Sequence, residues 1–374
     1  MEKTTLKPYP WADETTGTKT RFATIETITD SDGKQRQVQV LKPVQPEIPV
    51  SEFVYDAASG TGRFVYVKDE KGNTKIVKGK PLVPYIPGEE LKDLIKLAQI
   101  LKRPILIKGE PGSGKTQFAR SVAFEWYGND YKNHFFEWPV KSTSKAVDGL
   151  YTFDHIARLR EANLARNISA GTQVAEDLKQ YRKFGPMGLA FLTSTEEEPS
   201  ILLIDEIDKA DIDFPNDLLL ELDERRFSIP ASETGELIEA RYPPVIFITS
   251  NDERELPEAF LRRCLFLYIK FPGDEDLVRI LQAHIPGFVE QHEQFVRDAI
   301  ARFNVLRADI RENPLDNKQI STSELIDWLS ALYHDIADGM STDSIDLAKL
   351  PHAPSLLKSV QAVNRQEANK KNQK

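Results

Sequence analysis

Residues Gly109-Glu110-Pro111-Gly112-Ser113-Gly114-Lys115-Thr116 place spaced glycines directly before a lysine and a hydroxyl. That order suits a phosphate chain. Glycines let the backbone turn so that successive N–H groups face an anion, and a following helix adds its positive N-terminal end. Lys115 then reaches β- and γ-phosphate oxygens, Thr116 offers its hydroxyl to Mg²⁺, and Gln117 opens the helix. The expected ligand is ATP with Mg²⁺. The other reading, a glycine-rich turn without a ligand, has to overlook the buried strand before the loop and the helix after it.

A second group lies downstream. Ile201-Leu202-Leu203-Ile204 reads as an interior strand, and Asp205 and Glu206 follow at its C-terminal end, where ligands gather in α/β sheets. Asp205 suits the metal, through its water shell, and Glu206 suits the attacking water as proton acceptor or orienter. Adjacent acids can also be a solvated strand end; the phosphate loop upstream favours chemistry. Asp208 reads as a helix start. Residues 245–250 form a further apolar strand that runs into Asn251, either a turn former or a side chain that positions the lytic water. Arg262 and Arg263 end a short helical stretch, 256–263. They either cap it against its dipole or serve as a trans cation for a neighbour's γ-phosphate, a device worth ~10³–10⁵ in rate in phosphoryl transfer.

These residues need a scaffold. Helical spacing over 89–101 and 117–127 alternates with short β-branched strands at 104–107, 135–140, 201–204 and 245–249. That alternation predicts an α/β fold, a parallel sheet covered by helices on both faces. A charged segment at 149–185 is longer than a plain connection needs. Beyond Pro272 amphipathic helices at 276–283, 290–303 and 323–333 predict a separate helical lid. Before Pro84 the pattern is hairpin-like: strands at 22–29 and 35–41 about an Asp30-Ser31-Asp32-Gly33 turn, then 52–55, 63–68 and 74–78. The division expected is 1–84 as a β appendage, 85–271 as the nucleotide-binding unit, 272–345 as the lid and 346–374 as a tail, frayed from Gln361 on. The appendage either extends the main sheet or binds a partner.

Bulk composition narrows the function classes. Net charge is −9, which argues against a nucleic-acid surface, since phosphate neutralisation needs clustered Lys and Arg. The single cysteine, Cys264, excludes an intrachain disulfide framework and fits a reducing, cytoplasmic setting. Residues 1–11 lack the apolar core of a signal peptide, and no apolar run approaches the ~20 residues that span a bilayer.

The order GEPGSGKT, ILLIDEIDKA, VIFITSN and ELPEAFLRRC resembles the AAA+ superfamily of ATPases over about residues 84–333, and its wording resembles the MoxR-like branch. By that resemblance Lys115 and Thr116 are Walker A, Asp205 and Glu206 Walker B, Asn251 is sensor 1, and Arg263 is the arginine finger, with Arg262 a second candidate. The branch carries a helix-2 insert where 149–185 lies, and a second hairpin where 227–242 lies; such inserts line a ring's pore and grip clients. The resemblance implies a ring oligomer, a hexamer, that hydrolyses ATP at subunit interfaces to remodel a protein client or a von Willebrand factor A-type partner. Alternatives are a nucleic-acid motor or loader, and a slow, nucleotide-gated scaffold. One departure stands out. The lid position that usually holds a sensor-2 arginine is occupied by Ser323, so Arg311 or Lys318 replaces it or the contact is missing.

Overall fold

The computed structural model of the 374-residue chain describes residues 20–29, 35–56, 59–85, 89–168, 178–285, 287–312, 319–359 and 361–365. The appendage contributes β1 (Ala23–Thr29), β2 (Gln35–Leu41), β3 (Glu47–Pro49), β4 (Ser51–Asp56), β5 (Thr61–Tyr66) and β6 (Ile76–Lys78). They pair antiparallel as β1–β2, β3–β6 and β4–β5, and none is hydrogen-bonded into the main sheet. The predicted turn at 30–33 lies outside the described residues. Alternation along β4 turns Phe53 and Tyr55 toward the main core, and Phe64 of β5 stacks on Phe136 with ring centroids 6.0 Å apart. The β4–β5 ribbon therefore covers the α/β unit without lengthening its sheet.

The α/β unit begins with α1 (Glu89–Leu101), β7 (Ile105–Gly109), α2 (Lys115–Tyr127) and β8 (Phe135–Pro139). An insert follows: α3 (Ala146–Leu150), β9 (Tyr151–Phe153), α4 (His155–Ile168) and β10 (Arg182–Phe184), with β9 and β10 paired antiparallel. The segment read as loosely helical is thus a helix rooted on a two-stranded stem. Next come α5 (Pro186–Thr193), β11 (Ile201–Asp205), α6 (Phe214–Asp217), α7 (Leu219–Glu224) and the hairpin β12 (Arg226–Ser228) with β13 (Leu237–Glu239). The unit closes with β14 (Val245–Ser250), α8 (Glu258–Leu261) and β15 (Leu265–Ile269).

The sheet order is β15-β7-β14-β11-β8, parallel throughout. Period-2 alternation splits its side chains between two cores. Ile105, Ile107, Leu203 and Phe247 pack with α1 and α2, whereas Leu106, Leu202, Ile204 and Ile248 pack with α5 and the residues around α6 and α7. This is an α/β fold, a five-stranded parallel sheet covered by helices on both faces, as the alternating pattern predicts. Strand β15 went unanticipated, although Leu265-Phe266-Leu267-Tyr268-Ile269 is an apolar run ended by Lys270, Phe271 and Pro272.

Helices dominate from there: α9 (Asp274–His284), α10 (Phe288–Gln291), α11 (Glu293–Glu312), α12 (Thr322–Ala337) and α13 (Ala353–Leu356). Ser321 caps α12, and Glu324 closes a capping box back onto it. The helical core centres on Phe303, Trp328 and Leu329, and it also buries Leu350, Leu356 and Ala362. Those last residues fall in the segment expected to be a tail. Its polar composition hides a few anchoring leucines, Leu347, Leu350, Leu356 and Leu357, which pack against the helices. Residues 366–374 lie outside the described set.

Candidate functional site

The loop between β7 and α2 is shaped by glycine. Gly112 and Gly114 have φ of 73° and 88°, conformations that L side chains rarely adopt. A Cβ on Gly112 would meet Ser321 at 2.4 Å, and one on Gly114 would meet Tyr85 at 2.9 Å. The loop is therefore pressed between the segment before α1 and the cap of α12, with its N–H groups gathered at the start of a 13-residue helix. Lys115 is buried and donates from Nζ to Gly109 O (2.8 Å) and Glu110 O (2.9 Å). Burial lowers its pKa below the usual lysine value, and the charges of Asp208, Asp205, Glu206 and Glu110 oppose that shift.

Strand β11, beside β14, delivers Asp205 to the same place. Asp205 Oδ1 accepts from Thr116 Oγ1 (2.8 Å) and from Thr249 Oγ1 (2.6 Å). A hydroxyl and a carboxylate held together at a phosphate loop are hard oxygen donors suited to Mg²⁺, which keeps several waters and takes few protein ligands. Among the described residues, no group of three or more His, Cys, Asp or Glu side chains forms a denser metal cage.

Glu206 sits in the left-handed region, φ 58°, and its N–H donates to Thr249 Oγ1 at 2.8 Å. Thr249 thus accepts from one acidic residue's backbone and donates to the other's carboxylate. The strained turn swings the Glu206 side chain away from the strand. There Oε1 accepts from Asn251 Nδ2 (3.0 Å) and Oε2 from Lys209 Nζ (2.5 Å). Asp208 does more than start a turn. It is buried, and Oδ2 accepts from the backbone N–H of Asn251 (3.0 Å) and Glu253 (2.9 Å), clamping the loop that presents Asn251.

The fold therefore gathers Lys115, Thr116, Asp205, Glu206 and Asn251. It adds Thr249, Lys209 and Asp208, which sequence reasoning missed or underrated. A Thr two residues before Asn251 and a Lys three after Glu206 gave the only local hints. Arg262 and Arg263 are not part of this cluster. Arg263 donates from Nε to Asp223 Oδ2 (2.5 Å) and from Nη1 to Ala259 O (2.9 Å), while Arg262 pairs with Glu258 on the exposed side of α8.

The lid supplies a cation from an unanticipated position. Ser323 lies in the first turn of α12 and Arg311 is exposed near the end of α11; Lys318 lies outside the described residues. Arg307, one turn before Arg311, instead pairs with Glu110 of the loop. Between loop and lid lies a cavity of about 450 Å³ lined by Tyr85, Gly114, Gln117, Pro272, Arg279 and Ile326, among others. Gln117 Nε2 braces one wall by donating to Val83 O (2.5 Å). Ser113 Oγ and Thr322 Oγ1 border the cavity, and both are buried without a hydrogen-bond partner among the described residues. Unsatisfied hydroxyls beside an apolar-walled cavity suit a ligand with polar oxygens.

Residues 104–264 match the family model described as the AAA domain (dynein-related subfamily). No curated protein matches the chain. A solved structure from Cytophaga hutchinsonii, described as a candidate ATPase, is 14% identical; the similarity covers 64% of this chain and 72% of that one, with a TM-score of 0.35. The matched segment runs from the residue before β7 to the residue after Arg263, so it holds the phosphate loop, both acids and Asn251. Fold and family match agree: this chain has an α/β P-loop fold of the AAA+ type, and its residues 104–264 are similar to the AAA domain.

Proposed function

We propose that the chain is a MoxR-like AAA+ ATPase that hydrolyses ATP at the subunit interfaces of a cytoplasmic ring, a hexamer, to remodel or regulate a protein partner. One observation carries the reading. A single side chain, Thr249, links Asp205 to the backbone of Glu206, and Asn251 holds the Glu206 carboxylate beside the phosphate loop. That arrangement keeps a metal-binding carboxylate and a water-handling carboxylate separate although they are adjacent in sequence. Lys115 exchanges its two carbonyl partners for phosphate oxygens, and the N–H groups at the start of α2 hold the rest of the chain. Thr116 and Asp205 would hold Mg²⁺, which would neutralise charge on the phosphates when bound. Glu206 accepts a proton from the attacking water or orients it, with Asn251 fixing its direction. Arg263 lies outside this cluster, which suits a role toward a neighbouring copy. The insert on its β9–β10 stem and the β12–β13 hairpin are the elements proposed to grip a client.

The experiment is a pair of variants. Glu206→Gln should bind ATP with near-normal affinity and turn it over at least ~10²-fold more slowly, the scale of a lost general base. Lys115→Ala should lose binding as well. Near-normal turnover by Glu206→Gln would remove Glu206 from the mechanism.

A further inference from the structure

A carboxylate in a loop built to hold phosphates needs an explanation, because like charge opposes the ligand. Glu110 is the second residue of that loop, its side chain is only 24% exposed, and its backbone carbonyl accepts from Lys115 Nζ at 2.9 Å. Its partner comes from 197 residues away. Arg307 of α11 pairs with it through Nη2, at 14% side-chain exposure, with the guanidinium 3.7 Å from the centre of the Phe271 ring. This cation–π contact helps to hold the guanidinium in place. The arginine is not saturated, since its buried Nε has no hydrogen-bond partner among the described residues. A second lid element touches the same loop, where Ser321 at the cap of α12 presses on Gly112.

We propose that Glu110 and Arg307 form an exchange latch, in which the terminal phosphate of a bound nucleoside triphosphate competes with Glu110 for the Arg307 guanidinium. This rests on the nucleotide-binding reading and deepens it. Glu110 holds Arg307 at the loop and sets a threshold, because a ligand has to offer a stronger acceptor than a carboxylate in the same place. A triphosphate carries such an acceptor at its end; a diphosphate lacks that group. The unused Nε–H gives Arg307 a second donor for a bidentate grip on phosphate, which the present pairing does not engage. Lid position and the identity of the nucleotide are thereby coupled through one ion pair that changes partners.

The test compares Mg²⁺-dependent binding of mant-AMPPNP and mant-ADP to the full chain and to Glu110→Gln, Arg307→Ala, Arg307→Lys and Lys115→Ala variants. Glu110→Gln removes the competitor and should tighten mant-AMPPNP by roughly tenfold while leaving mant-ADP within about twofold, the scale of one hydrogen bond to a charged group. Arg307→Ala should weaken mant-AMPPNP by a similar factor with mant-ADP little changed. Arg307→Lys, which keeps the charge without the fork, should fall between and guards against misfolding of the alanine variant. Equal changes for both nucleotides, or none, in Glu110→Gln and Arg307→Lys would overturn the latch and reduce the pair to a lid-docking contact. Failure of the underlying reading looks different: the unaltered chain would bind neither nucleotide, or Lys115→Ala would bind both normally.

Discussion

At the residue scale the least conspicuous side chain carries the most geometry. Thr249 is fully buried at the C-terminal end of β14, and its hydroxyl both accepts from the Glu206 N–H and donates to Asp205. Thr249→Val keeps the shape and removes both bonds. It leaves the part-buried Glu206 N–H without its acceptor, at a cost of about 1 kcal/mol. It also frees the metal-side carboxylate to rotate. The expected outcome is a lower melting temperature together with a raised Mg²⁺ requirement for ATP turnover, and Thr249→Ser should restore both. Unchanged Mg²⁺ dependence in Thr249→Val would show that Asp205 needs no such orientation. Thr249 could not be recognised in the sequence because its role depends on parallel pairing with β11, where Ile204 stands opposite Ile248. Lys115, Thr116, Asp205 and Glu206 were legible because each follows a strand within a contiguous motif, so local order alone states their neighbours. Arg307 was not, since its partner Glu110 is distant in the chain and only the folded lid brings them together.

At the scale of elements the β4–β5 ribbon is more firmly built in than its sequence suggested. Tyr55 donates to Glu236 Oε1 (3.3 Å) in the loop between β12 and β13. Arg182, in the stem of the insert, pairs with that same Glu236 and lies over the rings of Tyr55 and Phe184, 4.8 and 4.1 Å from their centres. One carboxylate therefore joins three segments: the appendage, the insert and the second hairpin. The Arg182 side chain is 3% exposed, so removing Glu236 takes away one charged acceptor from a buried guanidinium. Glu236→Ala should lower stability by about 1.5–3 kcal/mol, the scale of a hydrogen bond to a charged group, measured by urea unfolding. A loss below 1 kcal/mol would mean that the pair is not the joint. The same packing bears on truncation. A chain beginning near Pro84 keeps the phosphate loop and should still bind nucleotide, but it exposes the apolar surface under Phe53, Tyr55 and Phe64. The strands were readable from their alternation and turn residues; their docking was not, because it depends on aromatic contacts with Phe136 and Phe184 far along the chain.

At the scale of the whole molecule, the sheet unit and the helical lid meet at the phosphate loop, and the arginines of α8 stand apart from it. Arg263 is half-exposed and held to Asp223 by an ion pair weak enough to exchange in water. Its distance in contacts from Lys115, Glu206 and Asn251 leaves the γ-phosphate without that cation inside one chain. In the ring proposed above a neighbour's Arg263 would supply it, so that each working site would take Glu206 from one copy and Arg263 from the next. The direct measurement is the ATPase rate of an equimolar mixture of Glu206→Gln and Arg263→Ala chains, each nearly inactive alone, with Arg262→Ala as the neighbouring control. Shared sites predict that mixing restores part of the activity, because one kind of interface then joins an intact Glu206 to an intact Arg263, and that specific activity of the unaltered chain rises with protein concentration. A fully active Arg263→Ala chain whose rate per molecule is independent of concentration would contradict the account.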